Sequence, residues 1–297
     1  MTISAVRTAE LGEAFGLLYG PSEDLPGRLA DAFRRVARGE LDPENLLVAR
    51  RGDHVTGAVF CQRLPGAIAV IWPPRAADNN PSVEDALTTA ALDHVGGSKI
   101  VQAFLPPEEA GRAAPLLRAG FRNVTRVLQM RRDGNSAPSS PGVAAPPLVL
   151  VSYPQYDATE YLQILTRCHD ESLDCPELHG VRTPAEMFEG YRDCAPEPAR
   201  WWLARQSGEA VGVLILGAAE LTFVGVVPER RGQGIGRALV QAACVAAPML
   251  SVTVDVRNHV AVQLYRSVGF EPERVCDVYI ALPALSAGAR PTNPISH

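Results

Sequence analysis

Between Glu220 and Ala243 the sequence reads ELTFVGVVPERRGQGIGRALVQAA. An apolar strand ends at Pro228, a turn follows (Arg231, Gly232, Gln233, Gly234, Ile235, Gly236), and a helix begins with Ile235, Leu239, Val240 and Ala243 on its apolar face. A glycine-rich turn at a helix start lets successive backbone N–H groups converge, and the helix dipole favours an anion there. Arg231 and Arg237 add guanidinium groups suited to phosphate oxygens. The chemistry this predicts is pyrophosphate or phosphate binding. A Walker A loop is excluded, because it ends in GK[ST] and this turn does not. A dinucleotide fingerprint is met at Gly232 and Gly234, but Arg237 stands where the third glycine belongs. Asp255, placed downstream where a ribose would be bound, keeps that alternative open. The plain alternative is a strand-to-helix connection with no ligand.

A second segment, VDVRNHVAVQLYRSVGFEPE, spans residues 254–273. Asn258 and Tyr265 are close to two helical turns apart and so share one face, and Asn258 is of a type that caps a helix start. Taken together, the two segments resemble the two signatures of the GNAT N-acetyltransferases. The pattern [R/Q]-x-x-G-x-[G/A] is met by Arg231, Gly234 and Gly236. The pattern V-x-x-x-N-x-x-A-x-x-L-Y-x-x-x-G-F is met by Val254, Asn258, Ala261, Leu264, Tyr265, Gly269 and Phe270.

The resemblance implies acetyl-CoA as co-substrate, no metal, and direct attack of a primary amine on the thioester in a ternary complex. It implies a pyrophosphate turn built from Arg231, Gly232, Gln233, Gly234, Ile235, Gly236 and Arg237. Asn258 would offer its amide to the pantetheine arm, and backbone N–H groups of Val224, Gly225 and Val226 would bind the thioester oxygen. Tyr265 resembles the general acid that protonates the departing thiolate, and Glu220 the glutamate that draws the amine proton through a water. Thr253 occupies another family position for a carboxylate base and cannot serve, which leaves Asp255 as the weaker candidate. A non-catalytic acyl-CoA-binding sensor or scaffold is the rival reading, and a nicotinamide-dependent oxidoreductase the third. The acceptor stays open between a small-molecule and a peptide amine, and the oligomeric state is not encoded legibly.

The elements that must position these residues occur twice. Before the glycine turn lie a strand at 148–153, a helix at 157–169, a helix near 183–194 with Thr183, Pro184 and Glu186 forming a capping start, and three closely spaced strands suggesting an antiparallel meander. The first half has the same order, and LLRAGF-RNVTRVLQMRR echoes LYRSVGF-EPERVCDVYIAL. The predicted fold is α/β with a mixed sheet: a degenerate GNAT-like domain at 1–132, a linker at 133–147 rich in Pro, Ser, Gly and Ala, a catalytic domain at 148–285, and a flexible tail at 286–297. The first domain is read as degenerate because PPRAADNNPS replaces the glycine turn, and Leu116 aligns with Tyr265. The tandem layout resembles that of the mycothiol synthases.

The segment 168–194, where GNAT enzymes place acceptor-binding helices, carries His169, Asp170, Glu171, Asp174, Cys175, Glu177 and His179. Its acids would attract a cationic amine; zinc on His169, Cys175 and His179 is a weak alternative, since the spacing matches no standard site. A net charge of −5 argues against nucleic acid as partner. With no secretory leader pattern at the start, no long apolar run and six cysteines in no dense framework, the expectation is a cytoplasmic chain away from membranes.

Overall fold

The computed structural model describes residues 1–134, 147–153 and 158–282, which form two compact units. In chain order the elements are β1 (Thr2–Ala5), α1 (Leu11–Tyr19), α2 (Leu25–Ala37), β2 (Leu46–Arg51), β3 (His54–Leu64), β4 (Ile68–Ala76), α3 (Pro81–His94), β5 (Ile100–Leu105), α4 (Ala114–Arg118) and β6 (Arg122–Arg132). They continue with β7 (Val149–Ser152), α5 (Ala158–His169), α6 (Pro184–Cys194), β8 (Trp201–Gln206), β9 (Glu209–Leu216), β10 (Leu221–Val226), α7 (Ile235–Ala246), β11 (Leu250–Asp255), α8 (His259–Ser267) and β12 (Glu271–Ala281). The α/β class and the mixed sheet expected from the sequence are both present.

Among the described residues one unit comprises Met1–Asn123 and Asp277–Leu282, and the other lies within Val124–Cys276. The division expected near 132 and 148 therefore does not coincide with the units. Most of β6 belongs with the second half, where Val127–Arg132 pair antiparallel with β11, and the end of β12 belongs with the first, where Asp277–Ala281 pair with β5. Most of the expected linker (135–146) and the expected tail (286–297) lie outside the described residues.

In the first unit β1 to β4 are antiparallel and β4 runs parallel to β5. Apolar side chains fill both faces, against α1 and α2 on one side and α3 on the other. The prolines that stand where the glycine turn was expected are part of the strand, as β4 continues through Pro73 and Pro74 to Ala76. Two prolines fit there because β4 pairs with β5 only at Ile68–Val70, and the β3 partner bulges between Ala58 and Phe60.

In the second unit β7 to β10 form an antiparallel sheet with β10 at its edge. The α5 residues Tyr161, Ile164, Leu165 and Cys168, at helical spacing, pack on one face with Trp201 and Val213. On the other face lie α7, through Ile235, Leu239, Val240 and Ala243, and Tyr265 of α8. The duplication is visible in detail: Gly120 (φ 92°) and Gly269 (φ 91°) end α4 and α8 in the same left-handed conformation. The next residue then bonds back identically, Phe121 N–H to Leu116 O and Phe270 N–H to Tyr265 O, each at 3.0 Å.

Candidate active site

The site is built on a strand that leaves its neighbour. Ala219 O accepts the Ser251 N–H at 2.9 Å and Glu220 bridges Ser251 in parallel, but beyond this point no ladder joins β10 to β11 among the described residues. A register shift in β10 between Leu221 and Phe223, at Thr222, accompanies the divergence. In an antiparallel pair alternate residues bond to the partner strand. Val227 donates to Val211 O at 3.1 Å, so by register Phe223 and Gly225 face β9, while the N–H groups of Val224 and Val226 point into the gap. The gap thus has two backbone donors, and the Gly225 N–H, expected to be a third, belongs to the ladder. Gly225 is needed for another reason. A Cβ there would lie 2.6 Å from Cys168 Cβ and 2.8 Å from the Phe223 ring, so only glycine lets α5 and Phe223 close over the strand.

A cavity of about 460 Å³ opens in this gap and brings together Val224, Gly225, Val226, Arg231, Gly232, Asn258 and Tyr265. At its mouth the turn into α7 has Gly232 at φ 75° and Gly234 at φ 82°, and the space beside Gly232 is open. The first turn of α7, Ile235, Gly236 and Arg237, has N–H groups with no carbonyl inside the helix to accept them. A Cβ on Gly236 would meet Leu264 and Val226 only at ordinary contact distance, and Gln233 donates to Glu229 O at 3.3 Å.

The two arginines have other duties. Arg231 donates to Val226 O (3.1 Å) and to Cys168 O, Asp170 O and Glu171 O at 3.3, 2.5 and 3.3 Å. Its guanidinium is thus taken up in capping the end of α5, where a cation suits the helix dipole. Arg237 donates to Ser267 Oγ at 2.8 Å. The groups this turn leaves open to an anion are backbone N–H groups.

Asn258 caps α8, accepting the Ala261 N–H at 3.1 Å, and its amide donates to Asp174 Oδ2 at 2.9 Å. Tyr265, 6% exposed, stands one face along the same helix with its ring 5.6 Å from Phe270. Burial first, and then the charge of Asp174, push its phenol far above the usual range, so it is protonated at neutral pH. Asp174 was one acid among several in the 168–194 segment, and nothing local singles it out. The fold does so by laying it between the Asp255 N–H (2.9 Å) and Asn258. Desolvation pushes its carboxyl up.

Asp255 is anchored instead of poised. Burial pushes its carboxyl up, but hydrogen bonds from Arg257, Thr125 and the Cys175 N–H outweigh this and hold it below the usual range. Arg257 also grips Glu177, fixing the loop that carries Asp174. Glu220 is exposed and lines neither this cavity nor its neighbour, although burial of its carboxyl pushes it up.

The neighbouring cavity, about 630 Å³, shares Glu171, Ser172, Asp174, Thr222, Phe223 and Thr253 with the first and extends to His169, Arg182 and Tyr191. His169 stacks on Phe223 (4.7 Å) and its Nε2 lies 3.0 Å from the Tyr191 hydroxyl. Burial, with the charge of Arg182, lowers this histidine to about 4, so it is neutral at physiological pH. Thr183 and Glu186 form the expected reciprocal cap of α6. The arrangement is two connected chambers, one with backbone donors, a buried phenol and a helix N-terminus, the other with acids and aromatics.

The GNAT acetyltransferase domain family matches residues 197–272, the stretch that contains this strand, turn and second signature. Residues 197–272 thus carry a GNAT acetyltransferase domain. A peptidyl-lysine N-acetyltransferase of Salmonella typhimurium is 36% identical over 87 residues, which are 29% of this chain and 60% of that protein. The chain thus spans less than two thirds of that relative. A mycothiol acetyltransferase of Clavibacter michiganensis is 27% identical over 254 residues, 81% of each chain. Among solved structures, a GNAT protein of Sphaerobacter thermophilus superposes with TM-score 0.64 at 16% identity, covering 94% of this chain and 95% of that one. A tandem GNAT protein from the clavulanic acid biosynthesis pathway superposes with TM-score 0.52 at 17% identity, covering 94% and 98%. The GNAT fold accounts for the antiparallel meander before the glycine turn, where a dinucleotide fold would have parallel strands.

The GNAT chamber fits acetyl-CoA on its own features. The open left-handed glycine turn at the α7 start suits a pyrophosphate, the gap beside Val224 and Val226 suits a pantetheine arm and thioester, and Tyr265 stands in the same cavity. Among the described residues no group of three or more His, Cys, Asp or Glu side chains is arranged to hold a metal.

Proposed function

We propose that the protein transfers an acetyl group from acetyl-CoA to a primary amine by direct attack. The observation that carries this reading is the convergence of the Val224 and Val226 N–H groups, Asn258 and Tyr265 on one cavity that opens into a second, acid-lined one. Acetyl-CoA supplies the activated acyl group. The N–H groups of Val224 and Val226 stabilise negative charge on the thioester oxygen as it develops, and they are fixed before the reaction by the β9 ladder. Tyr265 keeps its proton until the sulfur leaves. The burial that weakens this acid also raises the basicity of the thiolate beside it, so the transfer stays matched.

Asp174, at the junction of the two chambers, receives the amine proton; its raised pKa makes it a stronger base than a solvated carboxylate. Glu220 lies farther out and takes no part in the proton transfer. A covalent acyl-cysteine route is disfavoured, because burial pushes Cys168 and Cys175 up to about 12 and keeps both as thiols.

Calorimetric titration with acetyl-CoA, with NAD in parallel, tests the cofactor assignment, and thiol release over a panel of amines tests turnover. One-site binding of acetyl-CoA without NAD binding supports the reading, and thiol release with an amine completes it. Absence of acetyl-CoA binding refutes it. Binding without turnover on any amine favours the acyl-CoA sensor, which keeps the same chamber.

A further inference from the structure

The larger chamber contains a charge that the reaction as proposed does not use. Arg182 is half-buried in its wall, between Gly180 and the capped start of α6, and is the one Arg or Lys among the described residues that line it. Among the described residues its guanidinium has no carboxylate within ion-pairing distance and no hydrogen-bond partner. Of the acids that line the chamber, Asp174 accepts from Asn258 and the Asp255 N–H, and Asp255 is held by Arg257. Glu186, outside the lining, accepts from the Thr183 N–H and attracts the guanidinium without forming an ion pair with it. An arginine keeps its proton in any protein environment, so a half-buried guanidinium without a partner carries a desolvation cost that a bound anion would offset. Burial does act on it, lowering its pKa. Two histidines, His169 and His179, also line this wall, and His169 is neutral and bonded to Tyr191.

Resting on the acetyl-transfer reading above, we infer that the acceptor is a small amine that also carries a carboxylate, with the amine at the Asp174 junction and the carboxylate on Arg182. The placement follows from the cavities. Asp174 lines both chambers, whereas Arg182 lines only the one away from the thioester gap, so the two charges address opposite ends of one molecule. A single guanidinium facing a wall that includes Asp170, Glu171 and Asp174 matches a monoanion, and a phosphate dianion would be repelled. About 630 Å³ accommodates an amino acid with room for water.

The test is a panel of α-, β- and ω-amino acids, each beside its carboxamide and its decarboxylated amine, with phosphoethanolamine as the dianionic control, assayed by thiol release from acetyl-CoA. The wild-type protein should prefer at least one acid over its amide by about 10-fold or more in kcat/KM, the discrimination expected for a charged hydrogen-bonded pair. Arg182→Met should bring that ratio close to one, Arg182→Lys should retain part of it, and both should bind acetyl-CoA as the wild type does, which also shows that they fold. Equal rates for acid and amide, a preference that survives in Arg182→Met, a better rate with phosphoethanolamine, or turnover of none of the amino acids by a protein that binds acetyl-CoA would each overturn the inference. Failure to bind acetyl-CoA at all would instead overturn the reading on which it rests.

Discussion

Gly225→Ala tests whether the strand that exposes the two backbone donors is held down by what lies on it. The added methyl would stand 2.6 Å from Cys168 Cβ and 2.8 Å from two carbons of the Phe223 ring. Ordinary carbon contacts are about 3.5–4.0 Å, so α5 or the ring must retreat by roughly 1 Å. Neither can do so freely. Cys168 is buried in the core between α5 and the sheet, and its carbonyl is gripped by Arg231. The Phe223 ring is stacked 4.7 Å from His169 and lies 5.2 Å from Tyr191. Overpacking of this kind costs about 1–3 kcal/mol, and for a unit of this size each kcal/mol lowers the melting temperature by about 2–4 °C. Thermal melting followed by circular dichroism should therefore show a fall on the order of 5 °C. Phe223 lines both chambers, but its ring packs on His169 and Tyr191, which line only the larger one, so its displacement should raise KM for the acceptor more than it weakens acetyl-CoA binding. Gly232→Ala is the matched comparison: its Cβ meets nothing, and only the left-handed backbone (φ 75°) penalises it, so acceptor KM should hold. A Gly225→Ala protein with wild-type melting and wild-type acceptor KM would show that α5 and Phe223 do not press on the strand, and the account of the gap would fail.

Tyr265→Phe keeps the ring packed on Phe270 and removes only the hydroxyl, so kcat should fall about 100-fold or more while acetyl-CoA affinity holds; calorimetry showing a large loss of affinity would contradict the acid role. Asp174→Asn should lower kcat and remove the acidic limb of its pH profile, whereas Glu220→Gln should leave that limb in place; the reverse pattern would return the base to Glu220. In the first unit, Glu10 is bound by Arg50 (2.6 Å) and the Arg7 N–H, which hold its carboxyl at about 2, below the unfolded value. A depressed carboxyl contributes stability that is full above the unfolded pKa and is lost as pH falls through the folded one. Acid denaturation of Glu10→Gln should thus show a weaker loss of stability between about pH 5 and pH 2 than the wild type; identical pH dependences would refute the assignment.

Short-range physics made part of this protein legible in its sequence. The apolar periods of α5 and α7, the reciprocal cap at Thr183 and Glu186, the cap at Asn258 and the left-handed glycines at 232, 234 and 269 each depend on residues within a turn or two of one another. The two signatures and the duplicated order could be recognised for the same reason. What the tertiary structure decided depends on partners distant in the chain. Ladder register, set by β9, made Val224 and Val226 the outward donors and drew the Gly225 N–H inward. Arg231 turned from the predicted phosphate to carbonyls 60 or more residues away, because the end of α5 lands beside it. Asp174 was selected from its acidic neighbours by Asn258, 84 residues on, and Asp255 was neutralised as a base by Thr125, Cys175 and Arg257. The last strand of each repeat pairs in the other's unit, although its local pattern is the same in either place. A side chain's type and spacing limit what it can bind, but which of several equivalent groups meets which partner is settled only when the elements pack.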